Sequence, residues 1–181
     1  GDVHTRDAVD PGRAGRLRVV LNDMGYRYDV VDAVLAEQAA NPAAAAEAVR
    51  QLQAWVERED WERILPGYAR CVRIIRSAKA DDRQLTIDEG SFVEDAERDL
   101  YQAIQSSVVH RPHLQMAPMQ VSSIDELLNI VARLIPSINA FFDKVLVMAD
   151  DEKLKQNRLA LVGQVANLSH GIADLSKLEG F

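Results

Sequence analysis

Apolar residues recur along most of this chain at spacings of three and four positions, which is the period of an amphipathic α-helix. Stretches that alternate apolar and polar β-branched residues between turns, as strands do, are missing from the sequence. The pattern therefore predicts an all-α fold, in which the apolar faces of several helices meet as a helical bundle.

The first half of the chain contains four predicted helices, and its turn residues indicate where they start and stop. We expect these helices over 13–24, 29–41, 42–55 and 61–78. Gly25 follows the first as a left-handed C-terminal residue, Asp29 is a candidate N-cap for the second, and Pro42 opens the third. Pro66 lies within the fourth apolar pattern, so we expect that helix to be interrupted or kinked there.

The second half contains three predicted helices around a proline-bearing loop at 110–121. We expect these helices over 92–104, 124–142 and 150–178. Ser91 is placed to cap the first of them, and Ser123 followed by Glu126 is a capping-box pattern before the second. Pro136 predicts a bend in the second, and the acids at 150–152 suit the positive end of the last helix.

Composition limits the classes of protein to which the chain can belong. Its 181 residues are 48% hydrophobic, yet no apolar run approaches the roughly 18 residues of a membrane span, so we expect no membrane partner. Cys71 is the single cysteine, which excludes an internal disulfide and fits a reducing, cytoplasmic location. One domain over residues 1–181 is the default at this length, and the opening without methionine makes us expect a fragment of a larger protein.

Positive charge is gathered in one segment of a chain whose net charge is −7. The segment 63–83 contains six basic residues and two acids, Asp81 and Asp82, which gives it a local charge of +4. The basic residues are Arg63, Arg70, Arg73, Arg76, Lys79 and Arg83. Steps of three residues turn a helix by about 300°, so they form a slowly rotating stripe that can bind phosphates. The alternative is a solvated helix face whose arginines pair with Glu57, Glu59 or Glu62.

Catalytic motifs are scarce. The sequence has no glycine-rich phosphate loop, no GxSxG elbow and no HExxH pair. His110 and His113 form an HxxH pair, but a solvated loop is the favoured interpretation over a metal site. Met116 and Met119 in the same loop are expected to pack on the core, and His170 is expected to be a partly buried structural residue.

The stretch 141–162, FFDKVLVMADDEKLKQNRLALV, resembles the C-terminal signature of the glycyl-tRNA synthetase beta subunit, FFDxVMVMxxDxxLRxNRLALL. It is also similar to the wider DALR class of anticodon-binding domains, which arginyl-tRNA synthetases share. The resemblance extends over nearly the whole chain, because 29–35 is similar to the family's DVIDAVLA segment and 92–101 to its LFxxxAExxLY helix. In the basic helix, Arg70 matches the family's KRVxNI pattern, whereas Ala69 and Arg73 replace its lysine and asparagine. Lys155 stands where the family has an arginine.

This resemblance implies a DALR-like helical domain that binds the anticodon loop of glycine tRNA within a glycine–tRNA ligase. It implies no catalysis and no cofactor in this fragment, since ATP and magnesium would act in the whole enzyme, together with an alpha subunit and the remaining beta-subunit domains. Glycine anticodons carry two cytosines, so at least one carboxylate or carbonyl acceptor should line the pocket for the bases. Arg158 is expected to pair with Asp143 or Asp150, and Phe141, Phe142, Leu159 and Leu161 are expected in the core.

Two other functions remain open at this point. The first is a helical protein-interaction module without direct RNA binding, which would use the face of 43–55 or the methionine loop. The second is a helical enzyme with a metal at the HxxH pair.

Overall fold

The computed structural model describes residues 11–80, 85–109 and 121–181, and within these ranges it contains seven α-helices and no strand. The predicted all-α class is confirmed. The helices are α1 (Pro11–Asp23), α2 (Tyr28–Gln38), α3 (Pro42–Val56), α4 (Trp61–Ser77), α5 (Asp95–Val109), α6 (Ile124–Lys144) and α7 (Glu152–Asn167). One short 3-10 turn, Glu89–Ser91, lies between α4 and α5, and a second, Leu175–Lys177, lies after α7.

Several helix boundaries lie where the turn chemistry predicts them. Gly25, just after α1, has a φ of +94°, a conformation that side chains with a Cβ rarely adopt. The Asn41 side chain accepts a hydrogen bond from the Ala44 N–H at the start of α3, and Ser123 accepts one from the Glu126 N–H at the start of α6. Asp151 caps α7 in the same way.

Four expectations about helix ends and continuity were wrong. Asp29 is not the N-cap of α2 but a buried residue in its first turn, which Arg27 binds through two hydrogen bonds. Ser91 lies in the 3-10 turn and not at the start of α5. Pro66 does not interrupt α4, which is continuous over 17 residues. The last helix ends at Asn167 because the chain turns there and then packs back on the bundle.

α4 lies at the centre of the packing, against both α6 and α7. A close approach between helices explains Gly67, because a Cβ added there would lie 2.5 Å from Cδ1 of Ile135 on α6. Phe141, Leu159 and Leu161 are buried as predicted, whereas Phe142 is only half-buried.

The alanine-rich face of α3 is part of the hydrophobic core. Ala45, Ala48, Val49, Leu52 and Trp55 are all buried where α3 packs on α2 and α6. This face is therefore not available to an outside partner, and the interaction module cannot use it. The methionine loop, with Met116 and Met119, lies outside the described residues.

Arg158 has a structural role, as predicted, but its partner is different. It pairs with the buried Glu97 of α5 and not with Asp143 or Asp150. Glu97 also accepts hydrogen bonds from the N–H groups of Val93 and Glu94, so it closes the start of α5 in the way Ser91 was expected to.

Candidate nucleic-acid interface

The basic stripe of α4 faces solvent. Arg63, Arg70, Arg73 and Arg76 are all exposed on this helix, and the exposed Lys79 follows two residues after its last turn. Arg63 and Arg70 are seven residues apart, so their side chains point within about 20° of each other around the helix axis. Arg73 is rotated by about 60° from Arg70, and Arg76 by about 60° from Arg73 in the same sense. Arg83 lies outside the described residues.

Among the described residues, the stripe cations have no carboxylate close enough to neutralise them. Some other exposed arginines pair closely, for example Arg18 with Asp32 at 2.8 Å and Arg58 with Asp60 at 2.8 Å. In the described part of the chain, by contrast, none of the five stripe cations lies within ion-pair distance of an acid. The alternative, in which the stripe arginines pair with Glu57, Glu59 or Glu62, is therefore not observed among the described residues. Their charge is free to meet an anion from outside.

Two aromatic rings contact arginines of the stripe. The guanidinium carbon of Arg70 lies 4.4 Å from the ring centroid of Phe142 on α6. That of Arg76 lies 5.9 Å from the ring centroid of Phe181, the last residue of the chain. Such cation–π contacts hold a guanidinium in place without removing its charge. The stripe is therefore partly ordered before any ligand binds.

The sequence contained a signal for only one of these two rings. Phe141 and Phe142 are adjacent, and adjacent helical side chains point about 100° apart, so both could not face the core equally. Phe141 takes the buried position, and Phe142 lies half-exposed with its ring centroid 5.5 Å from that of Phe141. Phe181 has no comparable signal, because its position next to α4 depends on the path of the chain after α7.

A cavity of about 290 Å³ opens beside Arg76, between α4 and the segment that follows α7. Two carboxylates line it, those of Glu37 and Asp174. Both carboxylates are hydrogen-bond acceptors, and the cavity they line lies next to the stripe. His170 also lines the cavity but is exposed, which corrects the expectation that it is a partly buried structural residue.

Hydrogen bonds fix the polar wall of this cavity. Arg76 Nη2 donates to Ser176 Oγ at 3.1 Å, and Ser176 Oγ donates to Asp174 Oδ1 at 2.5 Å. Below them the Tyr68 hydroxyl donates to the Ala166 carbonyl at 2.9 Å and lies 2.7 Å from Ser169 Oγ. Burial raises the pKa of Tyr68 well above its ordinary value, so this hydroxyl stays a neutral part of the wall.

The described residues offer little for catalysis or metal binding. No group of three or more histidine, cysteine or acidic side chains among them could hold a metal ion, and the HxxH pair His110 and His113 lies outside them. Cys71 is buried, and burial raises the pKa of its thiol to about 12, so it is not a nucleophile at neutral pH. In the ranges that the structure describes, no helix has the length and apolar character needed to cross a bilayer.

Comparison with known sequences places these features in a family. The sequence profile of the DALR anticodon binding domain matches residues 64–175, which include most of α4 and all of α7. Over 166 residues the chain is 34% identical to glycine–tRNA ligase, chloroplastic/mitochondrial 2, of Arabidopsis thaliana, a match covering 92% of this chain and 15% of that protein. It is 34% identical to the glycine–tRNA ligase beta subunit of Moorella thermoacetica and 35% identical to that of Vibrio campbellii.

These two matches cover 90% and 99% of this chain but only 22% and 26% of the beta subunits. The chain thus spans about a quarter or less of the length of these curated relatives.

Proposed function

The chain belongs to the DALR anticodon-binding domain family, and from this premise we propose that it binds the anticodon arm of glycine tRNA as one part of a glycine–tRNA ligase. Its role is recognition and not chemistry. Aminoacylation, with its ATP and magnesium, takes place in other parts of the enzyme, which are an alpha subunit and the remaining beta-subunit domains in the cytoplasm. The beta-subunit relatives support the assignment of the chain to a glycine–tRNA ligase.

The observation that carries the proposal is the exposed, unneutralised stripe on α4. Phosphates supply most of the affinity between proteins and nucleic acids, and they need cations that are not already paired. The chain as a whole carries −7, so its net charge repels an RNA backbone, and binding needs a local group of unpaired cations such as the stripe.

Arginine also suits the single-stranded loop that an anticodon presents. Its planar guanidinium can stack on an unpaired base while its N–H groups reach a phosphate. Arg70, Arg73 and Arg76 lie on consecutive steps of the stripe, and Lys79 continues it beyond the helix. We assign these four to direct contact with the loop, with Arg63 and Arg83 as outer phosphate contacts.

The proposal is tested by titrating the chain with the anticodon stem-loop of glycine tRNA at two salt concentrations. Removing the charges of Arg70, Arg73 and Arg76 together should weaken binding strongly and lower the salt slope by about 0.7 for each lost phosphate contact. Arg50→Ala is the matched control, because Arg50 is exposed on α3 but paired with Glu47. Equal affinity and equal salt slope in the triple variant would refute the assignment.

A protein-interaction module is the second candidate, and one feature of α1 favours it. Val19 and Val20 on α1, which packs mainly on α2, and Met24 just after it are between 53% and 65% exposed. Since the beta-subunit relatives are about four times longer, another domain of the same subunit is the partner that fits this face. If this were the sole function, the chain would bind no stem-loop even at low salt.

A further inference from the structure

The segment that follows α7 runs back along α2, and we call its residues 171–181 the strap. Hydrogen bonds join the strap to α2, and their order along α2 is reversed relative to their order along the strap. They are Gly171 N–H to Glu37 Oε2 at 3.2 Å, Gln38 Nε2 to the Ile172 carbonyl at 2.7 Å, Asp174 N–H to the Ala33 carbonyl at 2.8 Å, and Glu179 N–H to Asp29 Oδ2 at 3.0 Å. The strap is therefore attached to α2 along most of its length.

The two ends of the strap are held by different kinds of contact. Leu175 and Leu178 are buried, so apolar packing holds its middle. Glu179 is exposed, and apolar burial does not hold it. The carboxylate of Asp29, which is 1% exposed, holds this end by accepting the backbone N–H. Its orientation is fixed in turn, because Arg27 donates to both of its oxygens, at 3.0 and 2.6 Å.

Beyond this anchor the chain crosses from α2 to α4. Gly180 has a φ of +88°, and a Cβ added there would lie 4.0 Å from Leu65 Cδ2 on α4. Phe181 follows, with its ring centroid 5.9 Å from the guanidinium carbon of Arg76. Earlier in the strap, Ser176 Oγ accepts a hydrogen bond from Arg76 Nη2 at 3.1 Å. The strap thus connects α2 to one cation of the stripe through two contacts.

We propose that Asp29 is a positioning residue for RNA binding that acts on Arg76 through the strap, an inference that rests on the proposed function. A free arginine side chain samples many rotamers, and ordering it on a ligand costs conformational entropy. Ser176 and Phe181 restrict the side chain of Arg76 before RNA arrives, so less entropy is lost on binding. Asp29, although buried on α2, keeps Phe181 in the place where it does this.

The alternative is that the strap only closes the hydrophobic core. The buried apolar residues of the strap are Ile172, Ala173, Leu175 and Leu178. A purely structural contribution of Asp29 would change the amount of folded protein to the same extent with or without Arg76. A positioning contribution exists only while Arg76 is present. A double-mutant cycle between the two residues therefore separates these roles.

Asp29→Asn breaks the anchor without changing the size of the side chain. Asp29 Oδ1 accepts from Arg27 Nε and from the Val30 N–H, and Oδ2 accepts from Arg27 Nη2 and the Glu179 N–H. Asparagine has one side-chain oxygen and an NH₂ group, so one of these positions then sets a donor against donors. We expect Asp29→Asn to weaken stem-loop binding about two- to tenfold, the range for one side chain that must be immobilised, and to have no effect in the Arg76→Ala background.

Glu179→Pro breaks the same anchor from the strap and leaves the Asp29 carboxylate in place. Proline has no N–H to donate, and Leu178 already has a φ of −75° and a ψ of 143°, which suit a residue before proline. The change also removes the carboxylate that accepts from the Tyr28 hydroxyl at 2.8 Å. Because position 179 is exposed, we expect the variant to fold and to show the same loss of affinity, again only while Arg76 is present.

The measurement is the dissociation constant for the anticodon stem-loop of glycine tRNA at low salt, for each variant with and without Arg76→Ala. An inactive fraction raises the apparent constant by the same factor in both backgrounds, so partial misfolding cannot produce a difference between them. Glu47→Gln is the matched control. Glu47 is an acid on α3 that pairs with an arginine of its own helix, Arg50, and its substitution should give no loss in either background.

The outcomes separate the two proposals. If wild type binds the stem-loop, a folded variant that shows no loss, or an equal loss in both backgrounds, overturns the positioning role and leaves the RNA-binding function standing. Wild-type affinity in Arg76→Ala alone overturns it as well. If circular dichroism shows that Asp29→Asn does not fold, Glu179→Pro decides by the same criteria. If wild type binds no stem-loop at low salt, both proposals fail.

Discussion

Arg158 and Glu97 form a buried ion pair that ties α7 to α5. Arg158 Nε donates to Glu97 Oε1 at 2.9 Å, and the exposed fractions of the two side chains are 8% and 0%. Arg158 Nη1 also donates to the carbonyl of Leu146 at 2.8 Å, in the connection between α6 and α7. One side chain therefore fixes three parts of the fold, which explains why an arginine is buried in α7.

Removing this arginine should destabilise the protein severely. Arg158→Ala leaves Glu97 buried without its cation, and breaking a buried pair from one side costs about 3–5 kcal/mol. The free energy of unfolding in urea measures the loss. Arg50→Ala removes an exposed arginine paired only with Glu47 and should cost less than about 1 kcal/mol. Equal losses in the two variants would show that Arg158 does not have this role.

Stability should fall in acid, and Glu97 should contribute to the fall. Burial raises the pKa of Glu97, but hydrogen bonds from Glu94, Arg158 and Val93 outweigh it, so its pKa lies below the ordinary value. A carboxyl with a depressed folded pKa stabilises the protein above its unfolded pKa, about 4.3 for glutamate, and loses that contribution as the pH falls through the folded pKa.

The measurement is urea unfolding at several pH values from 7 to 3. Glu97→Gln should be less stable than wild type at pH 7 and should lose less further stability below about pH 4.3. The exposed Glu59 provides the control, since Glu59→Gln should follow the wild-type curve. If Glu97→Gln keeps the full acid dependence, the contribution of Glu97 is disproved.

The ring of Phe142 should raise RNA affinity without adding charge. Phe142→Leu keeps an apolar side chain but removes the cation–π contact with Arg70, which at a partly exposed site is worth about 0.5–1 kcal/mol, or two- to fivefold in affinity. The salt slope of stem-loop binding should not change. Arg70→Ala, in contrast, should lower both the affinity and the slope, the latter by about 0.7. A changed slope in Phe142→Leu would contradict this division of roles.

Cys71 should report on unfolding and not on function. Its thiol is buried and its pKa is raised to about 12, which leaves about a thousandfold less thiolate than in an unfolded chain at the same pH. A thiol reagent at pH 8 should therefore react slowly with the native protein and rapidly in urea. Rapid native reaction would mean that α4 separates readily from α6 and α7. Bound stem-loop should slow the reaction only as far as it stabilises the fold.

The direction of the arginine stripe could be predicted because it is a local property. Arg70, Arg73 and Arg76 follow one another at three-residue steps in a helix whose apolar residues fall on the other side, so burial of that side exposes the arginines. The cap at Ser123 was equally local, because it involves a side chain and a backbone N–H three residues away.

Longer-range relationships were the ones that failed or were missed. Asp29 looked like a helix cap, but it is a buried residue whose carboxylate pairs with Arg27. The same carboxylate accepts a hydrogen bond from the N–H of Glu179, 150 residues away. Arg158 was assigned an acid close in sequence, yet its partner Glu97 lies 61 residues earlier on another helix. A period of 3.6 residues indicates which face of a helix is buried, but it carries no information about which helix covers that face.

By itself, therefore, the sequence determined the all-α class, most helix positions and the outward direction of the basic residues, since each depends on interactions within a few residues. Only the tertiary structure decided which groups surround those cations. It placed Phe181 and Asp174 near Arg76 because the chain turns after Asn167 and packs back along α4. A contact between residues about 100 positions apart depends on how whole helices pack, and no local pattern records it.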